Sequence, residues 1–129
     1  MDELVLIVDD NEKNLKLARD VLQFGGFKTL EASTGHLGLS LAREHMPDVI
    51  LMDIRLPDID GIEALLRLKD AEATASIPVV ALTSFAMKGD RERLLAVGFD
   101  GYLEKPISVR TFPTQVRSFC RSNRYGRLR

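Results

Sequence analysis

Four short apolar runs in this sequence end in residues able to do chemistry. Leu4–Val8 stops at Asp9-Asp10, Val49–Met52 at Asp53, Val79–Leu82 at Thr83-Ser84, and Gly101–Leu103 at Glu104-Lys105-Pro106. If those runs lie side by side, three carboxylates meet two hydroxyls and an ammonium. Carboxylates crowded together resist ionisation unless positive charge compensates them. A divalent cation supplies it. Mg²⁺ takes oxygen ligands in octahedral geometry, usually one or two carboxylates with waters and a phosphate. No soft thiolate or well-placed His accompanies the set, which argues against zinc. The set calls for Mg²⁺ beside phosphate chemistry. Asp53 is the natural nucleophile, giving an acyl phosphate on its carboxylate. The metal would neutralise the oxygens of the transferred group, Lys105 would pair with them from the other side, and Thr83 would hydrogen-bond one of them. Taken singly these residues say little, since an Asp after a strand is most often a turn residue or helix cap. Their recurrence at successive strand ends carries the reading.

The elements that must position them follow from the apolar pattern. Candidate strands are Leu4–Val8, Lys28–Ala32, Val49–Met52, Val79–Leu82 and Gly101–Leu103; candidate helices lie near Glu12–Phe24, Gly35–His45, Ile62–Asp70, Lys88–Val97 and within Val109–Ser122. Such alternation produces βαβ units and a parallel sheet. Runs apolar on both faces require helices on each side of that sheet. The expected fold is α/β, a doubly wound five-stranded parallel sheet of strand order 2-1-3-4-5, with its ligands at the carboxyl ends of the strands. Punctuation agrees: Gly25-Gly26 after the first helix, Pro47 after the second, Asp60-Gly61-Ile62-Glu63 as a capping box with Glu63 reaching back, and Gly98 after the fourth. Pro113 conflicts with a long fifth helix. Either that helix starts late, with Pro113 in its first turn, or it is kinked.

Length and charge set the limits. The 129 residues suit one domain. No apolar run approaches the roughly 20 residues of a membrane span, and the acidic start Met1-Asp2-Glu3 is unlike a signal peptide. The single cysteine, Cys120, forms no internal disulfide; with the other features it favours a cytoplasmic setting. Beyond Lys105 the chain has six arginines and no acid, which leaves 12 basic against 19 acidic residues in positions 1–105. The acidic body argues against direct DNA binding. For the basic tail, 122–129, the main expectation is a solvated, flexible end; binding to a partner or to RNA is the other.

Four segments together resemble the response-regulator receiver family of two-component signalling: Leu6-Ile7-Val8-Asp9-Asp10-Asn11, Val49–Pro57 with Gly61, Pro78–Ser84, and Gly101–Pro106. The likeness runs from about Leu4 to Phe119, with residues 1–121 as the receiver domain. It implies a (βα)5, flavodoxin-like fold and Asp53 as the acceptor of a phosphoryl group from a sensor histidine kinase or a histidine phosphotransfer protein. It also implies Asp10 and Asp53 as direct Mg²⁺ ligands, Asp9 through water and Arg55 through its backbone carbonyl. Thr83 becomes the switch hydroxyl, Tyr102 the coupled aromatic, and Lys105 the phosphate-pairing cation before a cis Pro106. Such a protein is a phosphoprotein switch more than an enzyme, catalysing only its own phosphorylation and slow dephosphorylation. Phe85–Asp90 is similar to single-domain regulators of cell-cycle phosphorelays and to receivers of hybrid kinases. Output is expected through the face of the fourth helix, fifth strand and fifth helix, acting on a downstream protein target, with homodimerisation left open.

Rivals on the same fold fit less well. An FMN-binding flavodoxin needs a hydroxyl- and glycine-rich first loop, where Asp9-Asp10-Asn11 would repel the cofactor phosphate. A haloacid-dehalogenase-type phosphatase expects a second acid two residues after its nucleophile, where Arg55 stands. A receiver kept only as a protein-interaction scaffold remains the serious alternative. His36 and His45 read as surface residues, Cys120 as partly buried packing, and Phe24, Phe27, Phe85, Phe99 and Phe112 mostly as core or interface.

Overall fold

The structure, a computed structural model, describes residues 3–84 and 89–120. Among them the elements run β1 (Leu4–Val8), α1 (Glu12–Phe24), β2 (Lys28–Ala32), α2 (Gly35–His45), β3 (Val49–Asp53), α3 (Gly61–Asp70), β4 (Val79–Thr83), α4 (Asp90–Val97), β5 (Gly101–Glu104) and α5 (Phe112–Phe119). The strands pair in parallel in the order β2-β1-β3-β4-β5. This is the doubly wound α/β architecture expected from the pattern.

Strand alternation divides the core in two. Leu6, Val8, Ile50, Met52, Val79 and Ala81 pack with Leu39 and Ala42 of α2, Ala64, Leu65 and Leu68 of α3, and Leu94 of α4. On the other face Val5, Ile7, Val49, Leu51, Val80 and Leu82 meet Leu15, Ala18 and Leu22 of α1 and Phe112 and Val116 of α5. Burial of each large aliphatic side chain contributes about 1.5–3 kcal/mol, so the three central strands anchor the sheet from which the site projects.

The helix ends show where local sequence decides. Asn11 caps α1 by accepting from Lys13 and Asn14 N–H groups at 2.9 and 3.1 Å. Gly26 and Gly98 take φ of 95° and 133°, values that glycine reaches without steric cost. Met46 also adopts a left-handed φ of 50° at the end of α2, immediately before Pro47. Asp60 caps α3 through the Glu63 N–H at 2.8 Å. The Glu63 side chain does not reach back; it pairs with Arg67, one turn on, at 2.9 Å. Helix α5 starts late and holds Pro113 in its first turn, where the missing N–H costs nothing.

Some expectations shift. Strands β3, β4 and β5 each extend one residue further, because Asp53 stays in register with Leu82 and Thr83 with Glu104. Phe24 is 96 % exposed, since α1 buries the face of Leu15, Ala18 and Leu22 and residue 24 points away from it. Cys120 is fully buried rather than partly so. The expected helix start at Lys88, Phe85 and the basic tail lie outside the described residues.

Candidate functional site

The chemistry-bearing residues meet at the carboxyl edge of the sheet. Asp9 follows β1 and is 1 % exposed; its N–H donates to the Ala32 carbonyl at 3.0 Å. One carboxylate oxygen, Oδ1, accepts the Asn11 N–H at 2.9 Å, which joins the acid to the cap of α1. Asp53 is the last residue of β3 and 9 % exposed. Its Oδ1 accepts the Arg55 N–H at 3.1 Å. Lys105 follows β5, fixed by its N–H to the Thr83 carbonyl at 2.9 Å and joined to Pro106 by a cis bond. Its ammonium Nζ donates to Asp9 Oδ2 at 2.6 Å and to Asp53 Oδ2 at 3.0 Å. Asp10 is exposed at the rim. Oxygens of Asp9, Asp10 and Asp53 lie within 4.8 Å of one another.

Burial and charge act together here. Burial raises the Asp53 pKa, and Asp9 adds to the rise; hydrogen bonds from Lys105 and the Arg55 N–H oppose it without cancelling it. Burial disfavours the Lys105 ammonium, but the Asp9 and Asp53 carboxylates outweigh that and leave its pKa raised. When all three acids are ionised, one ammonium leaves two negative charges uncompensated. An all-oxygen donor set with that surplus and an exposed member at the rim suits a hard divalent cation such as Mg²⁺.

Of the remaining expected residues, Arg55 and Thr83 are hydrogen-bonded to members of this centre through their backbones, whereas Tyr102 lies further back along the sheet. Thr83 closes β4 and is 6 % exposed. Tyr102 lies across from Ala81 on β5 and packs against the α2–α3–α4 side of the core. Burial, then the Glu104 and Asp90 carboxylates, raise its phenol pKa. Arg55 is exposed, two residues past Asp53.

A sequence model of the response regulator receiver domain matches residues 5–117. The chain belongs to the response regulator receiver family. Among curated relatives, the polar-differentiation response regulator DivK of Brucella ovis is 49% identical over 119 residues, which span 92% of this chain and 97% of the relative. A Francisella response regulator receiver domain superposes with a TM-score of 0.85 at 27% identity, covering 99% of this chain and 100% of the other. The chemotaxis response regulator CheY4 of Vibrio cholerae gives 0.85 at 25% identity, covering 92% and 99%. The chain is thus a receiver of two-component signalling, DivK-like in sequence and CheY-like in fold. Receivers are signalling switches rather than classical enzymes; they work through phosphorylation of an Asp, bind Mg²⁺ in an acidic pocket, and act between kinases or phosphotransfer proteins and downstream targets. No helix among the described residues is long and apolar enough to cross a membrane.

Two features of this receiver escaped the sequence reading. Asp58, in the turn after β3, accepts the N–H groups of Gly35 and His36 on α2, both at 2.8 Å. A partner some twenty residues away leaves no local signal. Gly61 lies so close to the Asp53 carbonyl that a Cβ there would collide with it; its place in the capping box gave a reason for a turn, not for this contact.

Proposed function

We propose that this receiver takes a phosphoryl group onto Asp53 from the phosphohistidine of a sensor histidine kinase or a histidine phosphotransfer protein, with Mg²⁺ bound, in the cytoplasm. The observation that carries the reading is the Lys105 ammonium bridging Asp9 and Asp53 at 2.6 and 3.0 Å, with the Asp10 carboxylate close by. Asp10 and Asp53 would hold the metal directly, Asp9 through water and Arg55 through its carbonyl. Bound there, the ion supplies charge neutralisation to the oxygens of the transferred group. Asp53 attacks the phosphorus through a carboxylate oxygen, and the bond to the donor imidazole breaks. Lys105 turns from the carboxylates to the phosphoryl oxygens, and Thr83 donates its hydroxyl to another.

The new group brings roughly two negative charges and three acceptors. Drawing Thr83 inward frees space for Tyr102 on the neighbouring strand, and the α4–β5–α5 face changes shape for a downstream protein target. Leu17, Ala18, Leu82, Pro106 and Ile107 line an apolar depression beside Lys105, which suits a protein donor better than a small one. Residues 1–121 would act as the receiver unit, with 122–129 as a basic appendage. The test is transfer from a labelled phosphohistidine protein. Label should move to wild type with Mg²⁺ and not to Asp53→Ala; equal transfer to both would overturn the assignment.

A further inference from the structure

The turn between β3 and α3 carries Arg55, and it is tied down at several points. Arg55 N–H bonds to Asp53 Oδ1 at one end, and Gly61 N–H bonds to the Ile54 carbonyl at 2.8 Å at the other. Asp60 is committed to capping α3. What remains is Asp58, in the middle of the turn, and it reaches across to α2. Both of its oxygens are used: Oδ1 accepts the Gly35 N–H and Oδ2 the His36 N–H, each at 2.8 Å. The third first-turn amide of α2, on Leu37, goes to Thr34 Oγ1 at 3.1 Å. The α2 terminus is thus capped jointly by its own N-cap and by a carboxylate from another loop. A negative group there also meets the positive end of the helix dipole.

The join is close as well as bidentate. A Cβ on Gly35 would lie 2.5 Å from Ile59 Cγ1 and 3.2 Å from Asp58 Oδ1, so helix and turn approach without a side chain between them. Burial pushes the Asp58 carboxyl up, but the N–H groups of His36, Gly35, Ile59 and Asp58 itself outweigh that and bring its pKa down to about 2. The carboxylate is therefore held ionised and in place.

We infer that Asp58 is a positioning residue for the metal site: by clamping the β3–α3 turn to the amino terminus of α2, it would steady the backbone at Arg55, whose carbonyl is the proposed ligand. This rests on the proposed role of the acidic pocket. Outer partners that orient metal ligands commonly account for 10–100-fold in affinity. Mg²⁺ is demanding in geometry, so a wandering carbonyl ligand is felt in binding before it is felt in chemistry.

The experiment is a Mg²⁺ titration of the intact protein, followed by amide chemical shifts without any phosphoryl donor, on wild type, Asp58→Ala, Asp58→Asn and Thr34→Ala. Thr34→Ala removes a cap from the same helix without touching the turn. Asp58→Ala should raise the Mg²⁺ dissociation constant about tenfold, Asp58→Asn by less because it keeps one acceptor, and Thr34→Ala by under twofold. Equal weakening in Asp58→Ala and Thr34→Ala would reduce Asp58 to a helix cap and overturn the inference. So would unchanged affinity in Asp58→Asn and Asp58→Ala. If Asp58→Ala does not fold, Asp58→Asn decides alone. A wild type that binds no Mg²⁺ would remove the metal reading itself, and the inference with it.

Discussion

Replacing Gly61 with alanine should damage both stability and phosphoryl acceptance, by comparable free energies. The added Cβ would collide with the Asp53 carbonyl oxygen and lie 2.8 Å from Ile54 Cα. Carbon atoms rest at about 3.5–4.0 Å, so something must move by roughly 0.7 Å or more. The opposing atoms are backbone, and they are pinned. Asp53 stays in register with Leu82, and the Gly61 N–H holds the Ile54 carbonyl at 2.8 Å. The strain should cost about 1–3 kcal/mol, the usual range for overpacking. The displaced atoms belong to the proposed acceptor and the residue after it, and misplacement of about 1 Å can cost a hundredfold in rate. We expect a ten- to hundredfold slower phosphorylation by acetyl phosphate, with urea unfolding measured alongside. Ile77→Val is the control, since Ile77 is fully buried in the turn before β4, at the opposite end from Thr83, and should lose about 0.5–1.5 kcal/mol with its rate intact. A Gly61→Ala rate within twofold of wild type would refute the reasoning. So would an equal loss of rate in Ile77→Val.

Three further outcomes follow from the same structure. Lys105→Met strips the ammonium from two carboxylates that are 1 % and 9 % exposed; without metal at neutral pH it should cost about 3 kcal/mol in urea unfolding, shrinking as the acids protonate, and a loss under about 1 kcal/mol would count against the ion cluster. Asp58, with a folded pKa of about 2 against an ordinary value of 3.8, gives stability that is present above pH 4 and lost as the pH falls towards 2. Asp58→Asn should therefore flatten the acid limb of a stability–pH curve, and an unchanged limb would remove Asp58 as a contributor. Cys120 is fully buried and burial pushes its thiol up to about 12, so iodoacetamide at pH 8 should label it only after unfolding; rapid labelling of the native protein would contradict the packing of α5.

The sequence carried what depends on periodicity and short-range chemistry. The apolar runs, their two-faced burial and the acids at their ends were readable because each is local. The parallel α/β class came from the same alternation, which does not by itself select the order β2-β1-β3-β4-β5, and the late start of α5 was one of two options that Pro113 allowed. What was not legible is contact at long separation. Asp58 reads as an ordinary turn acid until α2 is seen against it, and the tightness at Gly61 depends on the path of Asp53. For Phe24, aromatic type left core and interface both open; the register of α1, which points residue 24 outward, removes the core reading.

The central claim is that Asp53, in a Mg²⁺-dependent pocket, is the phosphoryl acceptor. Intact mass after incubation with acetyl phosphate tests it most directly, on wild type and Asp53→Ala, with Mg²⁺ and with chelator. One phosphoryl adduct on wild type with Mg²⁺, and none in the other three samples, is the expected result. An adduct of equal yield on Asp53→Ala, or on wild type with chelator, would contradict the account.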